Sequence, residues 1–374
     1  MKLKYLYCLI VFLFAFTSCS DKAEEPDLSP KRTVLVYVVG SNLTGNINEN
    51  IRDMISVATP ENLNGGHLVV FFSTSKDKAE LYEIKTDENG VVGKSMIAEY
   101  EGKSAIAVET MNEIVDKVVS MYPSDGYGMI FSSHGTAWLP TNYSTMLRSF
   151  GEESGKNMEI YELKEALSGF HFDFLLFDVC SFGAIECMYE LKDRADYIVS
   201  SPSEILRAGF PYAKILPCLF TTEADLQGVV AGFKEYYVPS SYGNVSVVKT
   251  EALDELATIV KEIMAAVGEE DLLSLPLSDI QYLSYLPYAP TKLYDLSAYI
   301  REIATVDQYA RFTACLDKIV VNKYSSDVVV CQNGYEKIPI EEYSGLTIYP
   351  LQSSLTQLNA WYNNNLLWSK YIYQ

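Results

Sequence analysis

Residues 170–191, FHFDFLLFDVCSFGAIECMYEL, carry the reading from which the rest of the chain is laid out. Phe172–Phe177 is a short apolar run with turn chemistry on either side. Its length and bounds suit a strand buried on both faces of a parallel sheet. From Gly183 to Leu191 the period changes, and Ile185, Met188 and Leu191 fall on one helical face. Between strand and helix stand Asp178, Val179, Cys180 and Ser181. The carboxyl end of a buried parallel strand is where open α/β sheets place their chemistry, and this one presents a cysteine. A second stretch, YGMIFSSHGTAW at 127–138, has the same form: an apolar strand closed by His134 and Gly135.

The alternation of strand and helix extends to both sides. TVLVYVV at Thr33–Val39 is rich in β-branched residues and reads as the first buried strand. Asn46–Ala58 follows as a helix, with Ile47, Ile51, Met54 and Ile55 on one stripe. HLVVFFS at 67–73 is a second strand, AELYEIK at 79–85 alternates like a half-exposed one, and Asp87–Gly90 turns into another. Ser104–Met121 has helical spacing, with Val108, Met111, Val115 and Val118 inward. Residues 139–159 are polar, a long loop suited to facing substrate or to being processed. A short helix over Ile160–Leu167 leads into the cysteine strand, and Tyr197–Ser200 is the next strand. This order implies a mostly parallel α/β sheet with helices on both faces. Beyond residue 200 the pattern is looser. It holds helices over 226–237 and 252–267, a strand at 245–248 and a tyrosine-rich mixed region over 268–340. GLTIYP at 345–350 reads as a late return to the sheet, and 357–367 as a last helix.

Composition narrows the function. The chain has 374 residues, 48% hydrophobic and 21% charged, enough apolar material for one large α/β domain with insertions. A formal net charge of −20 would repel a phosphate polyanion, which argues against nucleic acid as a partner. Lys2 and Lys4 precede an apolar Tyr7–Phe16, and Thr17, Ser18 and Cys19 follow, the layout of a bacterial secretory signal. The apolar run is too short for an ordinary membrane-spanning helix. Its ending resembles a lipobox, with Cys19 lipidated as the mature amino terminus. The expected organisation is a signal peptide over 1–18, then a flexible tether over 19–31. The tether would hold the protein to the bacterial cell envelope, at the outer membrane or surface. An α/β domain over 32–270 follows, with a carboxyl-terminal extension over 271–374 packed on the same domain. Of the seven cysteines, Cys180, Cys187, Cys218, Cys315 and Cys331 remain in the mature protein. Five is odd and no CxxC spacing occurs, so neither a zinc site nor a regular disulfide framework is signalled.

A thiol nucleophile must ionise, which needs a base or cation nearby, and it must be open to substrate. His134 and Cys180 are 46 residues apart (180 − 134). Two strands joined by one loop and one helix nevertheless become neighbours in a parallel sheet, with both ends on one rim. Gly135 lets a backbone N–H approach a substrate oxygen without a Cβ in the way, and with the Cys180 amide it would form an oxyanion hole. The plain alternative is a buried small cysteine and a loop histidine. His67 opens a strand and His171 precedes one, so both read as structural.

The strand–His–Gly and strand–Asp–x–Cys pair resembles clostripain-type cysteine peptidases, which share the caspase-like α/β fold with caspases, gingipains, legumain and separase. The matching segments are SSHGTAWLP at 132–140, FDFLLFDVCSFGAIECMYELKD at 172–193 and YIVSSPSEILRAGFPYAKIL at 197–216, with TVLVYVVGSNL at 33–43 also similar. The resemblance covers residues 32–270 and fades beyond. It implies an endopeptidase in which His134 is the general base and Cys180 the nucleophile. It also implies that Asp178 lines the S1 pocket and favours Arg or Lys at P1, against its reading as a cap of the following helix. Glu204, on the loop after the next strand, would add a second acid to that pocket. Similarity to clostripain implies calcium, for which the loop around Glu152 and Glu153 is the candidate; no other metal or cofactor is expected. Family members are often cut in the loop after the His strand or after the Cys helix, and Lys156 and Arg207 are the basic candidates here. Ala137 replaces a glycine often seen in His-Gly-x-Gly, which stiffens that loop. A reading of another class keeps the scaffold and drops the chemistry: a surface lipoprotein binding peptide or glycan through some of its 28 tyrosines. Retention of both His134 and Cys180 counts against it.

Overall fold

The computed structural model describes residues 32–40, 43–75, 78–140, 150–153, 155–240, 242–286, 291–331 and 336–374. The predicted signal peptide, Cys19 and tether lie outside them, as do residues 141–149 of the long loop after His134.

The strands are, in chain order, β1 (Arg32–Val39), β2 (His67–Ser75), β3 (Lys78–Thr86), β4 (Val92–Tyr100), β5 (Gly126–Ser132), β6 (Phe150–Glu153), β7 (Lys156–Met158) and β8 (Phe172–Asp178). They continue as β9 (Ala195–Ser200), β10 (Asn244–Lys249), β11 (Tyr282–Leu286), β12 (Thr291–Asp295), β13 (Val320–Ser325), β14 (Val328–Cys331), β15 (Glu336–Pro339) and β16 (Thr347–Ile348). A nine-stranded sheet has the order β13-β10-β9-β8-β5-β1-β2-β3-β4. Its centre, β2-β1-β5-β8-β9, is parallel throughout. The flanking pairs, β3 with β4 and β10 with β13, run antiparallel. The mostly parallel α/β sheet expected from the sequence is present, and the His and Cys strands are direct neighbours.

The apolar runs follow from burial on both faces. In β1, Leu35, Tyr37 and Val39 enter one apolar layer while Val34, Val36 and Val38 enter the other. In β8, Leu175 and Phe177 face the first layer and Phe174 and Leu176 the second. A strand covered on both sides needs an apolar residue at every position, which is why no polar alternation marks these segments. The first layer takes in the helices Val108–Met121, Ile160–Ala166, Ile185–Leu191 and Leu253–Val267, with Leu367–Tyr373 at the carboxyl terminus. The second takes in Thr44–Val57, Tyr212–Ile215 and Leu226–Tyr237. The chain leaves β1 for β2 on one side and reaches β5 on the other, so the winding reverses between β1 and β5. The carboxyl ends beside such a reversal are where this kind of sheet opens a crevice.

Two expectations for the carboxyl-terminal third change. GLTIYP does not return to the central sheet; Thr347–Ile348 pairs with β12 in a separate sheet of order β11-β12-β16. Gly345, at φ +97°, turns the chain beside Ser246, whose hydroxyl donates to the Gly345 carbonyl at 2.6 Å. The segment that does return is β13, which lies in the tyrosine-rich mixed region over 268–340. It is an edge strand with exposed and half-buried residues, so it has no apolar run to mark it. Among the described residues no helix is long and apolar enough to cross a membrane.

Candidate active site

The β5–β8 ladder ends with Ser132 paired to Asp178. His134 and Cys180 each follow two residues later, so both leave neighbouring strands, about 4.8 Å apart, at the same rim. The start of the His134 turn is pinned to β1, because the Ser133 hydroxyl donates to the Val39 carbonyl at 2.8 Å. The Gly151 N–H donates to the His134 carbonyl at 3.1 Å as part of a bridge between Gly135 and Phe150. That bond leaves the Gly135 N–H outside the bridge. Ala137 sits at φ +58°, in the left-handed region, at a cost of about 1–2 kcal/mol for a residue with a Cβ.

The Cys180 turn is strained in the same way. Ser181 is at φ +58° and 0% exposed. Its N–H donates to the Ser203 carbonyl at 2.8 Å, and its hydroxyl shares a 2.7 Å hydrogen bond with that of Ser284. Gly183 donates to the Ser201 carbonyl at 2.9 Å, and a Cβ there would lie 2.6 Å from the Pro202 nitrogen. The loop after β9 therefore dictates the turn that carries the cysteine.

That loop also covers the cysteine. The Ile205 N–H donates to Cys180 Sγ at 3.3 Å, and the thiol points back at the Ile205 carbonyl at 3.7 Å. The residue keeps some exposure, but its sulfur is enclosed. Burial, then the negative charge of Glu204, pushes the thiol up to about 12, with Asp178 adding to the effect. Asp178 is 7% exposed. It accepts from the Tyr212 hydroxyl at 2.9 Å and from the Phe210 amide, and burial pushes it up to about 6. Gly209, at φ +67°, lies against this carboxylate; a Cβ there would be 2.5 Å from Asp178 Oδ2. The Tyr237 hydroxyl holds the Gly209 carbonyl at 2.7 Å. Residues 203–212 thus form a strap across both Cys180 and Asp178. Asp178, Cys180 and Glu204 are brought together, and His134 leaves the adjacent strand at the same rim.

The remaining expected residues lie elsewhere. His67 bonds Glu83 at 2.6 Å and His171 bonds Asp196 at 2.9 Å, both structural pairs. Glu153 does not fit calcium: it is 7% exposed, and its carboxylate already takes the Ser104 hydroxyl and the Ala105 amide. Among the described residues no group of three His, Cys, Asp or Glu side chains is placed to hold a metal. Lys156 and Arg207 are both exposed. Cys187, Cys218, Cys315 and Cys331 are free thiols. The sequence reading missed Tyr212, Ile205 and Ser284. The only local signal for the first two is the Gly-Phe-Pro-Tyr turn after an isolated Ile-Leu pair, and Ser284 has none.

A mostly parallel sheet with helices on both faces, ending in a cysteine and a histidine on adjacent strands, defines a cysteine peptidase of the caspase-like class. The chain belongs to the clostripain family, peptidase C11, whose pattern matches residues 36–372. It is similar to an inactive zymogen C11 protease from Parabacteroides distasonis, with 36% identity and a TM-score of 0.84 over 92% of this chain and 99% of that one. It is also similar to a secreted C11 cysteine protease from Bacteroides thetaiotaomicron, iotapain, with 28% identity and a TM-score of 0.81 over 92% and 99% of the two chains. A secreted C11 protease of the same organism, in complex with an irreversible peptide inhibitor, matches at 27% identity and a TM-score of 0.78 over 91% and 98%. No curated protein matches the chain.

Proposed function

We propose that this peptidase cuts polypeptides after Arg or Lys, with Cys180 as nucleophile and His134 as general base. The observation that carries the reading is the β5–β8 register, which sends both residues from one rim beside the acids Asp178 and Glu204. His134 would take the thiol proton as the sulfur attacks the peptide carbonyl, then give it to the departing amine. Water would attack the acyl-enzyme, with His134 again accepting the proton. The amides of Gly135 and Cys180 would receive the oxyanion. Asp178, with Glu204 beside it, would supply the charge for a P1 cation, and a guanidinium can meet a carboxylate in two parallel bonds.

The form described here is closed. The Ile205 amide and carbonyl both engage the Cys180 sulfur, where a substrate carbonyl would have to arrive, and burial keeps the thiol protonated, so the strap would move aside before reaction. The description of the 36%-identical relative as an inactive zymogen supports this, and the inhibitor-bound relative supports a peptide substrate. Arg207 on the strap and Lys156 in the long loop are both exposed enough to be cut. Export and a lipid on Cys19 complete the reading, in line with the relatives described as secreted. The test is turnover of fluorogenic peptides with Arg, Lys or Leu at P1. Cys180→Ala and His134→Ala are each expected to abolish it, and unchanged turnover in either sinks the mechanism.

A further inference from the structure

One buried carboxylate takes no part in the reaction just described. Glu186 lies in the first turn of the helix Ile185–Leu191, directly after the Cys180 turn, and is 0% exposed. Its Oε1 accepts from the Tyr349 N–H at 2.8 Å and from the Tyr362 hydroxyl at 2.9 Å. Its Oε2 is buried without a hydrogen bond of ordinary geometry, and so is the indole Nε1 of Trp138. The link from Glu186 to Trp138 runs through the two tyrosines that bond its other oxygen.

Trp138 belongs to the His134 loop. It stacks on Trp361 at 6.0 Å and 12°, and packs on Tyr349 at 5.3 Å and on Tyr362 at 4.8 Å. The carboxylate therefore joins the Cys180 helix to the chain around Tyr349 and Tyr362, and through those two rings to the His134 loop. The loop needs such a tie, because Ala137 holds a left-handed conformation that persists only where its surroundings over-determine it.

We propose that Glu186 is a positioning residue for the reaction, holding Trp138 against Tyr349 and Tyr362 and so setting the His134 loop against the Cys180 turn. This rests on reading Cys180 and His134 as the reacting pair. The Tyr349 amide and the Tyr362 hydroxyl both donate to Glu186 Oε1, so the ionised acid is the form they bond. Burial opposes ionisation and pushes Glu186 up to about 7. The other titratable groups acting with it are Cys187, Tyr362 and Tyr373. None of these supplies positive charge. Protonation of Glu186 weakens the tie, so its titration enters the acid limb of kcat.

The test uses the full chain and its Glu186→Gln, Trp138→Phe and His134→Ala variants. kcat and KM on an Arg or Lys peptide are taken per Cys180 titrated with an irreversible peptide inhibitor, across pH. Tryptophan fluorescence is followed over the same range. Glu186→Gln is expected to lower kcat by about 10- to 100-fold with KM within about twofold, and Trp138→Phe to do the same to a smaller degree. The fluorescence transition near pH 7 is expected in wild type and in His134→Ala, and absent from Glu186→Gln. Wild-type kcat in Glu186→Gln, or in Trp138→Phe should the former not fold, overturns the proposal. So does a fluorescence transition that survives in Glu186→Gln. Undiminished turnover in His134→Ala is a different failure: it removes the reacting pair and the positioning role with it.

Discussion

β8 carries an aspartate at each end, and the molecule treats the two in opposite ways. At the amino end, Asp173 takes both Nε and Nη2 of Arg32 at 2.8 Å. The same guanidinium donates to the carbonyls of Leu219, Thr221 and Thr222 at 3.3, 2.6 and 3.3 Å. Gly126 makes room for the pair; a Cβ there would sit 2.1 Å from Asp173 Oδ2. At the carboxyl end, Asp178 is bonded by a tyrosine and an amide, both neutral, and burial holds it at about 6. One end is a finished ion pair and the other a buried carboxylate that no described cation pairs with, which is the arrangement the proposed P1 cation would complete. Of the described non-glycine residues at positive φ, Ala137 and Ser181 lie at the carboxyl end, while Asn64 precedes β2 at the amino end. Stability is concentrated at one rim and unspent electrostatic capacity at the other, as expected of a sheet that binds its ligands beyond its strand ends.

The largest effect that tests this contrast is Asp178→Asn. It is expected to lower kcat/KM for Arg and Lys peptides by about a hundredfold, the cost of leaving a bound cation without its partner. A peptide with Leu at P1 should change little, and equal losses on all three peptides would remove Asp178 from the pocket. The closed form should also respond to pH. Asp178 in the closed state lies above its ordinary value of 3.8. Its contribution to closure is therefore complete below that value and lost as pH rises through about 6. Opening, read as alkylation of Cys180 after allowing for its own ionisation, should rise across that window in wild type and stay flat in Asp178→Asn.

The carboxyl end of β8, and not its amino end, is legible in the sequence. Phe174–Phe177 and Met129–Phe131 are unbroken apolar runs that announce buried strands, and a connection of one loop and one helix makes those strands neighbours in a parallel sheet. The shared rim for His134 and Cys180 follows from that order, and the structure adds the register, with Ser132 opposite Asp178. What could not be read depends on partners far along the chain. Ile205 reaches Cys180 across 25 residues, Ser284 reaches Ser181 across 103 and Tyr362 reaches Glu186 across 176. No local pattern encodes such meetings. Glu186 leaves a faint trace, a single acid between Ile185 and the buried Cys187–Met188 pair. Arg32 and Asp173 leave none, because a charge at a strand's end looks like a solvated one.

Removing the finished pair tests the other rim. Arg32→Ala is expected to cost about 2–3 kcal/mol, since it strips a mostly buried cation from Asp173 and from three carbonyls. The cost falls at or below the bottom of the about 3–5 kcal/mol range for broken buried pairs, because the Asp173 side chain is 37% exposed. Urea unfolding should show the loss, while kcat per titrated Cys180 stays within about twofold for molecules that remain folded. A comparable fall in kcat would mean that the two rims are mechanically coupled.

The smallest effect is the sharpest comparison, because the same chemical change is made beside each aspartate. Gly209→Ala places a methyl 2.5 Å from Asp178 Oδ2 in a backbone that L-residues avoid at φ +67°. The strap should yield rather than the strand, since residues 204–208 are half-buried or exposed while the core of β8 is buried. A destabilisation of about 1–2 kcal/mol corresponds to roughly a tenfold gain in the open population, read as a tenfold faster alkylation of Cys180 by iodoacetamide. Gly126→Ala places a methyl 2.1 Å from Asp173 Oδ2, where no strap is available to move. That variant should lower unfolding stability and leave the alkylation rate as it was. If Gly209→Ala also acts only on unfolding, the strap is part of the rigid fold, and exposure of Cys180 must come from cutting the chain rather than from lifting it.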